Sequence, residues 1–240
     1  MLAITLIAFA LVATKAYKSM RTLTIRLRHN ARSPHGRQHA FERFGIPGIV
    51  VANDLLDEYG LAAYNVQPCH AVTVNKCDFD DNRIILSNHV YDGSTNVSVS
   101  IAAHEAAHAK INAETPWTAT LTTRLTMLRN FLCCEVGFFL TLSIMSYGLG
   151  TTKVPLAYPP IYGAITLLVV TIAIGILTIA DELRASTLAM SFIREHYKTG
   201  GRKTRRCSQV LIDALMTYVW TSATWVLGTA VVLSAVCMGL

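Results

Sequence analysis

The sequence predicts a mainly α-helical chain with integral membrane helices and a small cytoplasmic domain of mixed α and β structure. Its mean hydropathy is +0.40, and only 15% of its 240 residues are charged. A soluble domain carries about 25% charged residues, so we expect part of the chain to lie in lipid. The more polar remainder contains short β-branched runs beside helical patterns, which predicts the mixed domain.

The first element is the apolar run MLAITLIAFALVA at the start of the chain. The run is short enough to be the hydrophobic part of a signal peptide, but its lysines and arginines follow it instead of preceding it. We therefore predict a membrane anchor over residues 1–20, with a cleaved signal peptide as the alternative.

Residues 21–130 are predicted to form a cytoplasmic region. Its first helix is GIPGIVVANDLLDEYG, in which Pro47 stands near the start, Gly60 provides a stop and the apolar residues share one helical face. The β-branched runs AVTVN (71–75) and RIILS (83–87) follow, separated by a polar turn. This pattern indicates a β-hairpin.

A second helix is predicted after the hairpin. The polar segment YDGSTN (91–96) supplies residues that can cap its N-terminus, and Pro116 marks its end. Three apolar segments follow, at residues 131–149, 160–180 and 214–240. Each reaches or approaches the roughly 20 residues that span a bilayer as a helix.

The basic residues predict how these segments are oriented. They cluster at residues 15–28, 124–129 and 184–206. The positive-inside rule places all three clusters in the cytoplasm, which requires four crossings with both termini outside. We therefore assign 131–180 to two membrane helices, 181–212 to a cytoplasmic segment and 213–240 to a C-terminal membrane helix.

This topology also accounts for the net charge of +6. The basic residues adjoin the membrane segments and are not interleaved with aromatic residues, so the expected partner is the lipid bilayer and not a nucleic acid. We predict a multi-pass protein of the inner or plasma membrane, with its functional site on the cytoplasmic side.

The stretch VSVSIAAHEAAHAKI (97–111) contains the pattern HExxH. Residues four apart share a helical face, so His104 and His108 can direct their imidazoles at one metal ion. Glu105 lies about 100° further around the helix, where it can accept a proton from a metal-activated water. The alternative is two surface histidines on an ordinary helix. The surrounding alanines and Ile101 disfavour it, because buried polar side chains without partners are costly.

Catalytic zinc needs a third protein ligand and an open coordination position. No histidine follows shortly after the motif, so a carboxylate from another helix is expected. The best candidate is Glu182 in ADELRAS (180–186), with Asp181 as an adjacent competitor and Ser186 as a partner that could orient a ligand. The alternative is that these carboxylates and Arg184 form only a surface ion pair at the membrane interface.

Three segments in the same order resemble the bacterial membrane zinc metallopeptidases of the YugP type, from about residue 46 to the C-terminus. NRIILSNHVYDGSTNVSVSIAAHEAAHA resembles that family's strand, Val-Tyr pair and His-Glu-x-Gly-His helix, ADELRASTLAM its second signature, and VLIDALMTYVWTSA its closing helix. The resemblance implies a zincin-like cytoplasmic domain and zinc peptidase activity. It also implies His104, His108 and Glu182 as metal ligands and Glu105 as the base.

One residue and one turn depart from the family pattern. The glycine of His-Glu-x-Gly-His is Ala107, which a helix tolerates. The family's Asp-His-Tyr-Asp-Pro turn corresponds to Asn75–Phe79, which predicts a different substrate specificity if that turn shapes the pocket.

The predicted function is hydrolysis of peptide bonds in peptide or protein substrates by a membrane-bound zinc endopeptidase, with Glu105 as general base. One alternative is a non-catalytic membrane protein with a structural zinc site, which would not need Glu105. Another is a metal-free transporter or scaffold, which would place polar groups within the spans. Only Glu135 lies there, and we expect it to snorkel. The ligand set is also compatible with other divalent ions.

Two parts of the substrate site have candidates from sequence. A stabiliser of the oxyanion is expected among His70, His89, Tyr91 and Tyr218. The strand Arg83–Ser87 is predicted to be an edge strand that pairs with the substrate backbone.

Overall fold

The computed structural model describes residues 2–32, 44–148 and 158–237. The chain divides into two compact units. We call them the helical unit, made of Met1–Tyr17, Thr118–Thr178 and Tyr218–Leu240, and the mixed unit, made of Lys18–Trp117 and Ile179–Thr217.

Helices dominate the described residues, and a small three-stranded sheet accompanies them. In chain order the elements are α1 (Leu2–Arg32), α2 (Gly48–Glu58), β1 (Asn65–Cys69), β2 (Lys76–Asp78), β3 (Arg83–Ser87), α3 (Asn88–Tyr91), α4 (Asn96–Glu114), α5 (Pro116–Gly148), α6 (Tyr158–His196) and α7 (Gly201–Cys237). The predicted mainly helical chain with a small sheet is confirmed.

Among the residues that the structure describes, three helical stretches are long and apolar enough to cross a membrane, and they fit a membrane protein. They are Ala3–Arg28, Tyr162–His196 and Gly201–Ser234. The predicted segments 160–180 and 214–240 lie mostly in the second and third of them. The segment 131–149 lies mostly in α5, but many of its side chains, including Glu135, are outside the described residues. It stays a prediction.

Apolar side chains hold the helical unit together. Leu132 of α5 packs in a buried cluster with four residues of α6: Ala164, Leu167, Val170 and Ile174. Two cations lie over tryptophan rings of α7, Lys15 over Trp220 and Arg129 over Trp225, each about 4.8 Å from the ring centroid.

The sheet of the mixed unit has the strand order β1-β3-β2. Strand β3 runs parallel to β1, with Ile84 opposite Val66, and antiparallel to β2, with Ile84 opposite Cys77. The prediction that Arg83–Ser87 is an edge strand is therefore wrong. The reason is β1, which the sequence did not predict and which covers the side of β3 that a simple hairpin would leave open.

The predicted hairpin is confirmed in its second strand and shifted in its first. Strand β2 is Lys76–Asp78, whereas the β-branched run 71–75 forms no strand. Val72 and Val74 are exposed there. β-Branched residues favour a strand chiefly where they pack against neighbours, and this run has no such surface.

The predicted helix after Pro47 is confirmed as α2. Its Val51 and Leu55 are fully buried, and Gly60 follows its end with a φ of +67°. A Cβ atom on Gly48 would lie 2.2 Å from the Val90 carbonyl oxygen, so only glycine allows this approach. Helix α2 packs against α4, and the sheet completes the core with the fully buried Ile84.

Helix α4 begins where the polar segment 91–96 ends. The Thr95 hydroxyl accepts a hydrogen bond from the Ser98 N–H at 3.1 Å and so caps the helix. The helix ends at Glu114, shortly before Pro116. These ends fix the register of α4 against the sheet and therefore the placement of its polar side chains.

Candidate metal centre

Alanines allow α4 to pack closely against its neighbours on several faces. The fully buried residues are Ala102, Ala103, Ala106, Ala107 and Ala109. His104, on the same helix, is only 7% exposed. A histidine so enclosed requires a partner for its ring nitrogens.

The partner comes from α6, which brings Glu182 to the histidines. Glu182 is also 7% exposed. Buried alanines on α6, Ala185 and Ala189, accompany it, and small side chains of this kind permit close helix packing. The structure therefore brings a carboxylate from a separate helix to the two histidines, and Glu182 is buried and not part of a surface ion pair.

The three side chains direct their donor atoms at one point. His104 Nε2 lies 3.1 Å from Glu182 Oε2 and 3.1 Å from His108 Nε2, and His108 Nε2 lies 3.6 Å from Glu182 Oε1. A tetrahedral zinc ion with ligands at about 2.0–2.1 Å separates neighbouring donors by roughly 3.3 Å. The observed spacings match that value, so the donor set fits a single zinc-sized ion.

Protonation of His108 depends on the same neighbours. Burial alone would lower the pKa of His108, but the Glu182 hydrogen bond and the charges of Glu105 and Glu182 outweigh it and raise the pKa. The raised pKa means that the buried acidic groups favour a positive charge at this position. A divalent cation would satisfy the same demand.

Glu105 lies beside this group on α4 and is half-buried. Burial raises the pKa of its carboxyl group, the charges of His104 and His108 oppose that rise, and the Glu182 charge adds to it. The backbone N–H of Cys77 on β2 donates a hydrogen bond to the carboxylate. Glu105 is therefore held between α4 and the outer side of the sheet.

Two neighbours of the ligands were also singled out from sequence. The Ser186 hydroxyl lies 3.5 Å from His104 Nδ1, the ring nitrogen on the side away from the other donors. Asp181 is half-buried and close enough to His108 to affect its pKa, but it is not one of the three grouped donors. Arg184 pairs with Glu114 at 3.8 Å on the surface.

The oxyanion candidates lie in four different settings. His70 is exposed, with Nδ1 3.1 Å from the Asn88 amide nitrogen. His89 is buried with Nε2 3.4 Å from the Ser87 hydroxyl, and Tyr91 packs against the apolar core. Tyr218 belongs to the helical unit.

Sequence reasoning missed three residues that lie on α4 or beside it. They are Cys77, through its backbone, and the pair Tyr64 and Asn112, in which the Asn112 amide nitrogen lies 3.5 Å from the Tyr64 hydroxyl. A helical signal was available for Asn112, because it lies four residues after His108 and shares its face. No comparable signal existed for Tyr64, because strand β1 was not predicted.

Comparison with known families shows that a family model matches residues 20–236. The matching family is described as "Putative neutral zinc metallopeptidase". No curated protein and no solved structure matches the chain significantly.

Proposed function

We propose that this chain, which belongs to the neutral zinc metallopeptidase family, is a membrane-bound endopeptidase that hydrolyses peptide bonds with zinc. The observation that supports the proposal most strongly is the convergence of three donor atoms, two from buried side chains and one from the half-buried His108, with the Glu105 carboxylate beside them. A zinc site of the catalytic type needs three protein ligands, one open position and a base.

In this proposal His104, His108 and Glu182 hold the ion. When bound, zinc supplies a Lewis acid that polarises the substrate carbonyl and lowers the pKa of water. Ser186 holds the far nitrogen of His104 and so orients its ring toward the other ligands.

Glu105 acts as the general base. Its raised pKa places it closer to neutral pH than an ordinary glutamate, which suits a group that accepts a proton from water and passes it to the leaving amine. The Cys77 N–H fixes the carboxylate in place, and no metal ligand has to move for the transfer.

We infer that the substrate backbone lies along β2, in a zincin-like arrangement of edge strand and motif helix. Among the described strands, β2 pairs only with β3, on one side. In an antiparallel pair, a residue directs its N–H and C=O to the same side. Because the Cys77 N–H reaches Glu105, the outer edge of β2 faces the proposed site. The opposite edge strand, β1, carries Pro68, which weakens its ability to pair.

The proposal also places the site on the cytoplasmic side of a multi-pass membrane protein. It is supported by the basic clusters around the predicted spans and by the three long apolar helices. The apolar stretch Tyr162–His196 exceeds the roughly 20 residues that cross a bilayer, so the half of α6 with Glu182 can extend beyond the lipid.

The test is zinc content and casein cleavage of the detergent-purified full chain. Wild type is expected to hold one zinc and to cleave. Glu105→Gln should keep zinc and lose about 10²- to 10⁴-fold in rate, which is the usual contribution of general acid–base catalysis. Glu114→Gln, an exposed glutamate at the end of α4, is the matched control and should leave both properties unchanged.

Other results would replace the proposal. A wild-type protein that holds zinc but does not cleave, with Glu105→Gln indistinguishable from it, would support the structural zinc site. A wild-type protein that binds no divalent metal would exclude both.

A further inference from the structure

A tyrosine outside the motif stands at the edge of the proposed site. Tyr64 directly precedes β1, and its ring packs against the apolar core while its hydroxyl is directed at α4. There the Asn112 amide nitrogen lies 3.5 Å from the hydroxyl oxygen. Asn112 follows His108 by one helical turn on the same face, so the hydroxyl lies about one turn of α4 from the metal ligands.

The edge strand β2 connects this hydroxyl to Glu105. The Cys77 side chain is close enough to Tyr64 and to Glu105 to interact electrostatically with both groups. The Cys77 backbone N–H reaches the Glu105 carboxylate. Tyr64 therefore lies close both to Asn112 of α4 and to Cys77 of β2, where these two elements meet.

The Tyr64 hydroxyl has an unused donor. The Asn112 amide nitrogen can only donate, so in this contact the tyrosine oxygen accepts. Among the described residues, no acceptor for the Tyr64 O–H proton is found. Burial raises the pKa of Tyr64, so the phenol keeps its proton at neutral pH and the O–H can donate.

We propose that Tyr64 is a substrate-binding residue whose O–H donates a hydrogen bond to a backbone carbonyl of the peptide held along β2, and that Asn112 positions it. The inference rests on the proposed peptidase function and assigns a role in binding, separate from the proton transfer by Glu105. A peptide strand on the outer edge of β2 has carbonyls that do not pair with β2, and these carbonyls need another donor.

The experiment measures binding of a fluorescein-labelled casein peptide by fluorescence anisotropy, with the full chain in detergent and zinc present. All proteins carry Glu105→Gln so that the peptide is not cut. Tyr64→Phe should raise the dissociation constant about 3- to 10-fold, as expected for one neutral hydrogen bond. Zinc content and melting temperature should stay at the values of the Glu105→Gln protein.

A second variant tests the donor without removing the tyrosine. Asn112→Asp replaces the amide by a carboxylate, which accepts the Tyr64 proton and withdraws it from the substrate. It should weaken peptide binding to the same extent as Tyr64→Phe. Tyr59→Phe is the matched control and should bind as Glu105→Gln does. Tyr59 lies under Lys110, which projects from a different face of α4 than His108.

The outcomes separate the two proposals. If Glu105→Gln binds zinc and peptide but Tyr64→Phe and Asn112→Asp both match Tyr59→Phe, the role of Tyr64 is refuted while the peptidase function stands. If Tyr64→Phe weakens binding only together with a loss of zinc or a lower melting temperature, the tyrosine is structural and the inference is also wrong. If Glu105→Gln binds neither zinc nor peptide, the proposed function fails and the inference fails with it.

Discussion

Two clusters of histidine and carboxylate side chains in the mixed unit use the same chemistry in different ways. The first is the candidate metal centre. The second, which we call the surface cluster, consists of Asp54, Glu58, His196 and Tyr197, and it connects α2 with the end of α6. In it, His196 Nδ1 lies 3.1 Å from Glu58 Oε2, and Nε2 lies 3.8 Å from Asp54 Oδ2.

The difference between them lies in direction and burial. In the metal centre two imidazoles and one carboxylate point their donors at one place. In the surface cluster one imidazole uses opposite ring nitrogens for two carboxylates, so the three groups cannot share an ion. The side chain of His196 is 38% exposed, whereas that of Glu182 is 9% exposed. Residue types alone therefore do not define a metal site. A metal site also requires donor atoms that point at one position and side chains that are shielded from water.

The largest expected difference between variants of the two clusters is in zinc affinity. Glu182→Ala removes one of the three proposed ligands. It should lower the zinc affinity by well over the roughly 10- to 100-fold that is lost when a side chain hydrogen-bonded to a ligand is removed. Glu58→Ala removes a carboxylate of the surface cluster and should leave the affinity unchanged. Titration of the metal-free proteins with a competing zinc indicator measures both. Equal affinities in the two variants would show that convergence is not what binds the ion.

The second prediction concerns pH. The pKa of His108 is raised in the metal-free protein, so the proton on His108 competes with zinc up to a higher pH than for an ordinary histidine of about 6.5. Zinc affinity should therefore fall as pH falls, by roughly tenfold per pH unit for each proton displaced, and the decline should begin above that value.

The same zinc titration, repeated at several pH values, checks whether the zinc affinity falls as the pH falls. Affinity that stays constant until the pH drops well below the ordinary histidine range would mean that Glu182 and Glu105 do not hold a proton on His108. Glu58→Ala should follow the wild-type profile, because the surface cluster does not contact the ligands.

A smaller effect on zinc affinity is expected from a residue that contacts a proposed ligand but not the ion. Ser186→Ala removes the hydroxyl 3.5 Å from His104 Nδ1 and should lower zinc affinity by about tenfold, at the weak end of effects of this kind because the contact is long. Thr187→Ala is the matched control, since its exposed hydroxyl donates to the Leu183 carbonyl of its own helix. Equal affinities in the two variants would mean that Ser186 does not orient the ring.

The arrangement of the candidate metal centre could be predicted from sequence to a greater extent than the sheet that accompanies it. His104, Glu105 and His108 lie on one helix, where spacing alone fixes their relative directions. Glu182 required the added argument about which side of the membrane each segment faces. The packing of α6 against α4 decides which side chains contact Glu182 and why Asp181 is not in the donor group. No local sequence pattern encodes that packing.

The sheet was harder because its pairing is not local. Strand β1 has the sequence NVQPC, which shows neither alternation nor a β-branched run, and it forms a strand because β3 is available beside it. The run 71–75 has the stronger strand composition but no neighbour. Because of this exchange the sequence did not point to Tyr64, and the strand proposed to pair with the substrate is β2 instead of β3.

The smallest expected effect belongs to the surface cluster and completes the comparison. Glu58→Gln removes a charge that is 45% exposed, and exposed ion pairs contribute at most about 1 kcal/mol to stability. The melting temperature in detergent should therefore fall by no more than a few degrees, and high salt should reduce the difference between variant and wild type because it screens surface charges.

Chelation of zinc with EDTA should lower the melting temperature of both proteins equally. The bound ion stabilises the folded state at the candidate metal centre, which Glu58→Gln leaves intact. A Glu58→Gln protein that no longer responds to EDTA would show that the surface cluster and the metal centre are coupled through α6.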